Sequence, residues 1–330
     1  MTKILLTTTS FQDTPGEHHK LLADTGWEVI RARGPLNEAD TLALVGDVDG
    51  YICGDDAITR KVLEKARPKL KVLSKYGIGV DKIDVKSCTE FGIPLLFTPG
   101  VNHTTVAEHT FLLLLALEKN FLFHTDSTRS GDVKTNWKRK TGHELLEKTI
   151  GIIGLGRIGK EVAIRAKAFG MHVIAFDVYW DDKFAAAHDV KRAASLDEIY
   201  AASDYISLHT NLTPETRDMI NAKAFAKMKK GVLILNCARG EVVHTKDMVE
   251  ALKSGQVGGY GTDVLDQEPP PADHPLLKLP NVVCTPHIAS RTHESVQRQA
   301  VAAVTNLIRA MRGEKPLAQV NPEVPVKKVV

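Results

Sequence analysis

The chain reads as an α/β protein of two doubly wound parallel-sheet lobes, and three features of the sequence say so. Short β-branched runs alternate with longer polar-apolar segments from residue 3 to about 99. One long apolar helix interrupts them. The alternation then restarts at residue 149, where a glycine-rich turn sits between a strand signal and a helix signal. With 330 residues and 43% hydrophobic content, the chain can bury two sizeable cores.

In the first half the strand signals are 4–8, 29–32, 50–53, 72–75 and 95–98, the pattern of β/α units over a parallel sheet. A helix is expected over about 104–123, after the helix-breaking pair Pro99-Gly100. It carries leucines all round, as a helix buried between two bodies would. Segment 124–148, polar and containing Trp137, fits no element and is read as an arm against a second subunit. The second half offers strands at 149–153, 172–176, 205–208, 232–236, 259–264 and 282–284, with a helix over 157–169. A last helix is expected over about 290–312, ended by Gly313 and followed by a proline-punctuated tail, and this helix can return to the first lobe. No period of 20 to 50 residues appears, which excludes a solenoid.

Composition narrows the function class. Lys and Arg total 43 against 40 for Asp and Glu, a net charge of +3 with no run of five like charges, so no nucleic-acid footprint is expected. The longest apolar run, 111–117, is far below the roughly 20 residues a bilayer span needs, so no membrane is expected either. The first residues hold only three consecutive apolar side chains, too few for a signal peptide. Cys53, Cys88, Cys237 and Cys284 form no C-x-x-C pair, the usage of a reducing compartment, and the expected location is the cytoplasm. The 13 histidines include no H-x-x-x-H motif, and no metal is expected.

The strand signal 149–153 runs into Gly154-Leu-Gly156-Arg-Ile-Gly159, which opens a helix. Gly154 permits the tight turn, Gly156 lets a pyrophosphate approach the backbone, and Gly159 lets the helix pack close on the strand. The helix N-terminus then offers unpaired N–H groups to the phosphates. The next strand ends on Asp177, about 20 residues beyond the glycines, where a carboxylate accepts hydrogen bonds from the ribose hydroxyls. Its charge opposes a 2′-phosphate and no arginine follows within a few residues, so the cofactor expected is NAD.

Three polar landmarks follow strands of the second lobe: Arg239 in Asn236-Cys-Ala-Arg-Gly240, Glu268 in Asp263-Val-Leu-Asp-Gln-Glu268-Pro269, and His287 in Thr285-Pro-His287-Ile-Ala289. With Lys75-Tyr-Gly-Ile-Gly-Val-Asp81 and Val106-Ala-Glu-His-Thr110, these ordered motifs closely resemble the D-isomer-specific 2-hydroxyacid dehydrogenase family over nearly the whole chain. The resemblance implies Arg239 as binder and polariser of a small 2-hydroxy or 2-oxo acid, His287 as proton donor and acceptor, and Glu268 as the partner of His287. It places Gly77, Ile78 and Gly79 of the 77–81 loop, with Asn102, around the substrate carboxylate. It also assigns Thr98, Val106, Arg157, Ile158, Thr210, Cys237, Ala238, Asp263 and Ala289 to the nucleotide pocket. Within the family, Lys75 stands where phosphoglycerate dehydrogenases have an arginine, and Arg139 matches another arginine of that subgroup. The pair would bind a second anion such as the phosphate of 3-phosphoglycerate, with Arg139 at the partner subunit's active site. Without that pair, the resemblance implies a glyoxylate or hydroxypyruvate reductase.

The chemistry asks for the same trio. A hydride leaving C2 of a hydroxy acid requires a base for the hydroxyl proton, which His287 supplies. A neighbouring carboxylate orients that imidazole and favours its charged form, and an arginine fork binds the acid and stabilises charge on the carbonyl oxygen. Taken with the family, the lobes are Rossmann-like: 1–100 with 291–330 as the substrate-binding domain and 101–290 as the NAD-binding domain. The active site is expected in the cleft between them, with hinges near 100 and 290. A homodimer through the cofactor lobe is implied by the resemblance alone. Two rivals share the fold. An NAD-sensing corepressor would work through a partner-recruiting segment, and none is visible; formate dehydrogenases pair the histidine with glutamine where Glu268 stands. His244 and Asn211 depart from the family's usual acid and proline, and a capping or exposed role is expected for His244.

Overall fold

Runs of Val, Ile and Leu without polar interruption become parallel strands covered on both faces. In the computed structural model, which describes residues 1–130 and 137–330, they form two separate sheets in two units, 1–102 with 291–330 and 103–290. The first unit holds β1 (Lys3–Leu6), β2 (Glu28–Arg31), β3 (Gly50–Cys53), β4 (Val72–Lys75) and β5 (Leu95–Leu96). All pair in parallel, in the order β2-β1-β3-β4-β5.

Side chains alternate across this sheet. Leu5, Tyr51 and Leu73 face a core with Val62 and Leu63 of the helix Arg60–Ala66, whereas Ile4, Leu6, Ile52 and Val72 face Ala300, Ala303, Val304 and Leu307 of the helix His293–Met311. The latter helix starts where the Thr292 side chain accepts the Ser295 N–H, and it carries an unbroken apolar stripe along the sheet. Leu307 has no exposed surface, so Leu307→Ala costs about 2–5 kcal/mol.

The second unit holds β6 (Thr149–Ile153), β7 (His172–Phe176), β8 (Val190–Arg192), β9 (Tyr205–Leu208), β10 (Val232–Asn236), β11 (Val257–Thr262) and β12 (Val282–Cys284). Their order is β12-β11-β10-β9-β6-β7-β8, again parallel throughout. Because β6 pairs with β7 on one side and β9 on the other, the chain reverses its direction of growth at β6, and a crevice opens at the carboxyl ends of β6 and β9.

Several expectations need correction. The apolar helix ends at Glu118 rather than about 123: Asn120 takes the left-handed conformation (φ 48°), and a second helix, Phe121–Arg129, begins beyond it. The helix His103–Glu118 packs inside the second unit on the helix Arg157–Ala168 and on β10 and β11, with Leu112 left 53% exposed. The expected strand at 259–264 lies two residues earlier. Edge strand β8 went unread because only its first residue is buried. Of the segment read as an arm, 131–136 lie outside the described residues; Trp137 is exposed. Among the described residues, no helix is long and apolar enough to cross a membrane, and no cluster of three metal-ligating side chains occurs.

Candidate active site

Strand β6, the turn at 154–156 and the helix Arg157–Ala168 provide the strand–turn–helix context that the glycines require. Gly154 has φ +97°, and a Cβ there would press on the His209 carbonyl at 2.5 Å. At Gly159 a Cβ would run into the Gly154 carbonyl, whereas at Gly156, the helix N-cap, it would meet no atom within 4 Å. The open side of Gly156, beside the first N–H groups of the helix at Arg157 and Ile158, has the shape and dipole a pyrophosphate needs.

Asp177 closes the other end. Its carboxylate accepts the N–H of Leu155 (2.6 Å) and of Tyr179 (2.7 Å), so it is tied to the glycine turn. With Phe176, Arg192, Ala193 and Ala194 it lines a cavity of about 370 Å³. Arg192 was invisible among the sequence neighbours of Asp177; the pairing of β7 with β8 brings it there. The Thr210 hydroxyl, just past β9, and Nδ1 of His209 are buried and have no hydrogen-bond partner among the described residues. Such orphaned atoms at a strand end suit a ligand. Val106 and Ala289 are buried, and burial pushes the Cys237 thiol up to about 12, so it stays neutral. These residues fit a dinucleotide.

The trio comes from three neighbouring strands. Asn236, Thr262 and Cys284 stand level across β10, β11 and β12, and Arg239, Glu268 and His287 follow at the same edge. Asn236, fully buried, folds the first turn: its Oδ1 accepts the Ala238 N–H (3.0 Å), and its amide donates to the Arg239 carbonyl (2.9 Å) and the Tyr260 hydroxyl (3.1 Å). The Arg239 guanidinium donates to the Ala238 carbonyl at 2.8 Å. Gly240 presses so closely on the backbone of Leu265 and Asp266 that any Cβ would collide, which binds the arginine turn to the Glu268 loop.

His287 Nδ1 lies 2.7 Å from Glu268 Oε2, and Glu268 Oε1 accepts the Leu265 N–H at 3.0 Å. Both side chains are about one-third exposed (34% and 32%), so solvent reaches the pair. His287 sits at φ +54°, a left-handed conformation that costs a non-glycine residue roughly 1–2 kcal/mol. Asp263, 1% exposed, offsets that strain: its carbonyl accepts the His287 N–H (2.8 Å), and its carboxylate accepts Thr285 Oγ1 (2.6 Å), the Ile288 N–H (2.9 Å) and the Ala289 N–H (2.7 Å). Asn236 and Thr285 escaped sequence reasoning. Their only signal was a polar residue at the end of consecutive strands.

In the first unit, Thr98 and Gly77 exchange hydrogen bonds: the Gly77 N–H donates to Thr98 Oγ1 (2.9 Å) and the Thr98 N–H to the Gly77 carbonyl (3.0 Å). Gly77 has φ +123°, and with its N–H so used it anchors the loop carrying half-buried Ile78 and Gly79. Lys75 departs from the usual exposed lysine: its side chain is 4% exposed and Nζ donates to the Gly54 carbonyl and Asp55 Oδ1, each at 2.7 Å. Asn102 Oδ1 is buried with no hydrogen-bond partner among the described residues. In the second unit, Arg139 is exposed, its guanidinium 5.6 Å from the Trp137 ring. His244 takes the N-cap position of the helix Thr245–Ser254 but makes no side-chain cap hydrogen bond; its ring faces Asp247 at 3.1 Å. Asn211 is exposed and lends its carbonyl to Thr216.

Fold and glycine turn together define a dinucleotide-binding α/β protein. Residues 111–289 match the family described as D-isomer specific 2-hydroxyacid dehydrogenase, NAD binding domain. The chain is 39% identical to a D-3-phosphoglycerate dehydrogenase of Methanocaldococcus jannaschii, over 100% of this chain and 61% of that protein, so it spans less than two thirds of that relative. It is 40% identical to a glyoxylate reductase of Thermofilum pendens over 89% of each chain. The D-lactate dehydrogenase of Aquifex aeolicus, solved with NAD and lactic acid, has a TM-score of 0.85 at 29% identity, over 97% of this chain and 99% of that one. The chain belongs to the D-isomer-specific 2-hydroxyacid dehydrogenase family, and NAD is its cofactor. Membership makes it an oxidoreductase of the CH–OH group of 2-hydroxy acids.

Proposed function

We propose that the chain reduces small 2-oxo acids with NADH, and oxidises the matching D-2-hydroxy acids with NAD, preferring glyoxylate or hydroxypyruvate to a phosphorylated three-carbon acid. The observation that carries the substrate choice is Lys75. An ammonium already held by the Asp55 carboxylate and a carbonyl has little left to gain from a second anion. A phosphorylated substrate is favoured instead by the 39% identity to the phosphoglycerate dehydrogenase named above.

Bound NADH supplies the hydride. His287 gives its Nε2 proton to the oxygen that becomes the hydroxyl, and takes that proton back in oxidation. Glu268 holds Nδ1 and so fixes which nitrogen faces the substrate; the 2.7 Å pair supports this role. Arg239 binds the substrate carboxylate and draws electron density toward the carbonyl oxygen. The substrate-binding domain, on this reading, is the unit of 1–102 with 291–330.

A homodimer through the cofactor unit is part of the proposal. The helix Phe121–Arg129 buries no residue, and Leu112 (53%), Phe121 (56%) and Phe169 (42%) expose large apolar surface that a second copy would cover. A cytoplasmic setting accords with four free cysteines. The deciding experiment is a panel of 2-oxo acids with NADH. Glyoxylate or hydroxypyruvate should exceed phosphohydroxypyruvate in kcat/KM, since the phosphate gains no charge-assisted contact, worth about tenfold or more, to offset its desolvation. The reverse order would overturn the substrate assignment.

A further inference from the structure

We infer that His109 is a positioning residue for the reaction: through the Thr285 hydroxyl and the Asp263 carboxylate, it holds the strained loop that presents His287. The inference rests on the role of His287 proposed above. His109 lies on the helix His103–Glu118, which packs against β12 and the start of the 285–289 loop. Its side chain is 10% exposed, and Nε2 stands 2.8 Å from Thr285 Oγ1 and 3.6 Å from Asp263 Oδ1.

Proton counting gives the chain a direction. The Thr285 hydroxyl has one hydrogen, and it goes to Asp263 Oδ1 at 2.6 Å. Toward His109 the oxygen can then only accept, so Nε2 must carry the proton. Burial holds the His109 ring below the usual histidine range, against the pull of Asp263, which leaves it neutral as the Nε2–H tautomer. The same Asp263 oxygen takes the Ile288 N–H, and its twin takes the Ala289 N–H. Every donor that fixes the two residues after His287 therefore converges on one carboxylate, and His109 clamps that carboxylate through Thr285.

The clamp matters because His287 is left-handed at φ +54°. A β-region His287 would aim its ring elsewhere and lose Glu268, so the loop must be held from outside. A neutral donor suits the task. It steadies the hydroxyl without placing a positive charge beside the nucleotide pocket, to which the resemblance assigns Asp263 and Ala289.

The test uses His109→Leu, His109→Gln and Thr285→Val, with NADH affinity by fluorescence titration, kcat on the best 2-oxo acid, and amide exchange of the peptide covering 285–290. His109→Leu and Thr285→Val should each lower kcat by about fivefold or more while NADH affinity stays within about twofold, because an orienting contact is lost rather than a binding one. His109→Gln, which restores an N–H donor at similar reach, should recover at least about half of kcat, and the double variant His109→Leu/Thr285→Val should be no slower than the worse single. Exchange at 288 and 289 should rise about tenfold in both donor-free variants. Equal kcat for His109→Leu and His109→Gln, or unchanged exchange, overturns the inference, as does a loss of kcat that merely parallels lost NADH affinity. If the wild type turns over none of the acids, the proposed reaction fails; the exchange experiment still decides whether the clamp exists.

Discussion

Replacing Glu268 by glutamine tests the pair at the centre of the site, because the structure assigns each carboxylate oxygen a separate duty. Oε1 accepts the Leu265 N–H and Oε2 accepts His287 Nδ1–H. Glutamine has one acceptor and one donor end. If its NH2 turns to Leu265, two donors face each other and the loop is pushed apart; if it turns to His287, Nδ1 must become the acceptor and Nε2 keeps a proton it can neither lose nor regain. Reduction and oxidation both suffer. A hydrogen bond to a charged group is worth about 1.5–3 kcal/mol. The pair is one-third exposed, and solvent screening trims the figure to about 1–2 kcal/mol, or roughly 5–30-fold in kcat. The assay is steady-state NADH oxidation with glyoxylate and the reverse reaction with the hydroxy acid, with KM measured for each. A kcat within twofold of wild type in both directions would refute the reasoning.

Three further outcomes are expected. Asp177→Ala should raise the NADP/NAD ratio of kcat/KM by about tenfold or more, since a phosphate no longer meets a carboxylate and Arg192 lines the same cavity; a ratio that stays put would remove Asp177 from the selectivity, and adding Arg192→Ala should reverse the gain. Lys75→Met should weaken glyoxylate and phosphohydroxypyruvate alike, since it frees the 54–55 turn rather than removing an anion site; a loss confined to the phosphorylated acid would restore the second-anion role. Burial pushes His209 down to about 3, below the ordinary value near 6.5 of the unfolded chain, so the unfolded state binds more protons at acid pH. Stability from this group is complete above about pH 6.5 and falls by up to about 1.4 kcal/mol per unit down to about 3. His209→Gln should flatten the fall of Tm between pH 6.5 and 4, and an identical slope would show that His209 does not titrate on unfolding.

What the sequence made legible follows from how each feature is encoded. Strands Thr149–Ile153, His172–Phe176, Tyr205–Leu208 and Val232–Asn236 have the bounds read from sequence because strands covered on both faces must be apolar at nearly every position. The fingerprint was readable for a related reason: Gly154 and Gly159 answer local steric demands that no other residue meets. Strand β8 and the break at Asn120 carry no such demand, and both were missed. The ion pair that engages Lys75 depends on Asp55, 20 residues away and brought close only by the pairing of β3 with β4. The left-handed His287 is set by Asp263, just past the end of the neighbouring strand, a constraint no local pattern announces.

Two sheets of similar winding need not hold two nucleotides, and the buried acids explain why. In the second unit the crevice between β6 and β9 is lined by glycine, a helix N-terminus and the orphaned hydroxyl of Thr210. In the first unit the chain reverses between β1 and β3, and the equivalent crevice holds Asp56, which has no exposed surface. Its carboxylate takes the Thr7 hydroxyl, the Tyr51 hydroxyl (3.0 Å), the Leu36 N–H (2.7 Å) and the Gly54 N–H (3.0 Å). A phosphate entering there would meet a negative charge and donors already engaged. The helix after β1, Thr9–Asp13, is also too short to offer a useful dipole, whereas Arg157–Ala168 runs for 12 residues. Asp56 therefore fills the first crevice from within and fixes Gly54, whose carbonyl holds Lys75 beneath the Gly77 loop. Equivalent topological positions thus serve opposite ends: the second unit leaves its crevice open for the dinucleotide, and the first closes its own to brace the loop proposed to grip the acid.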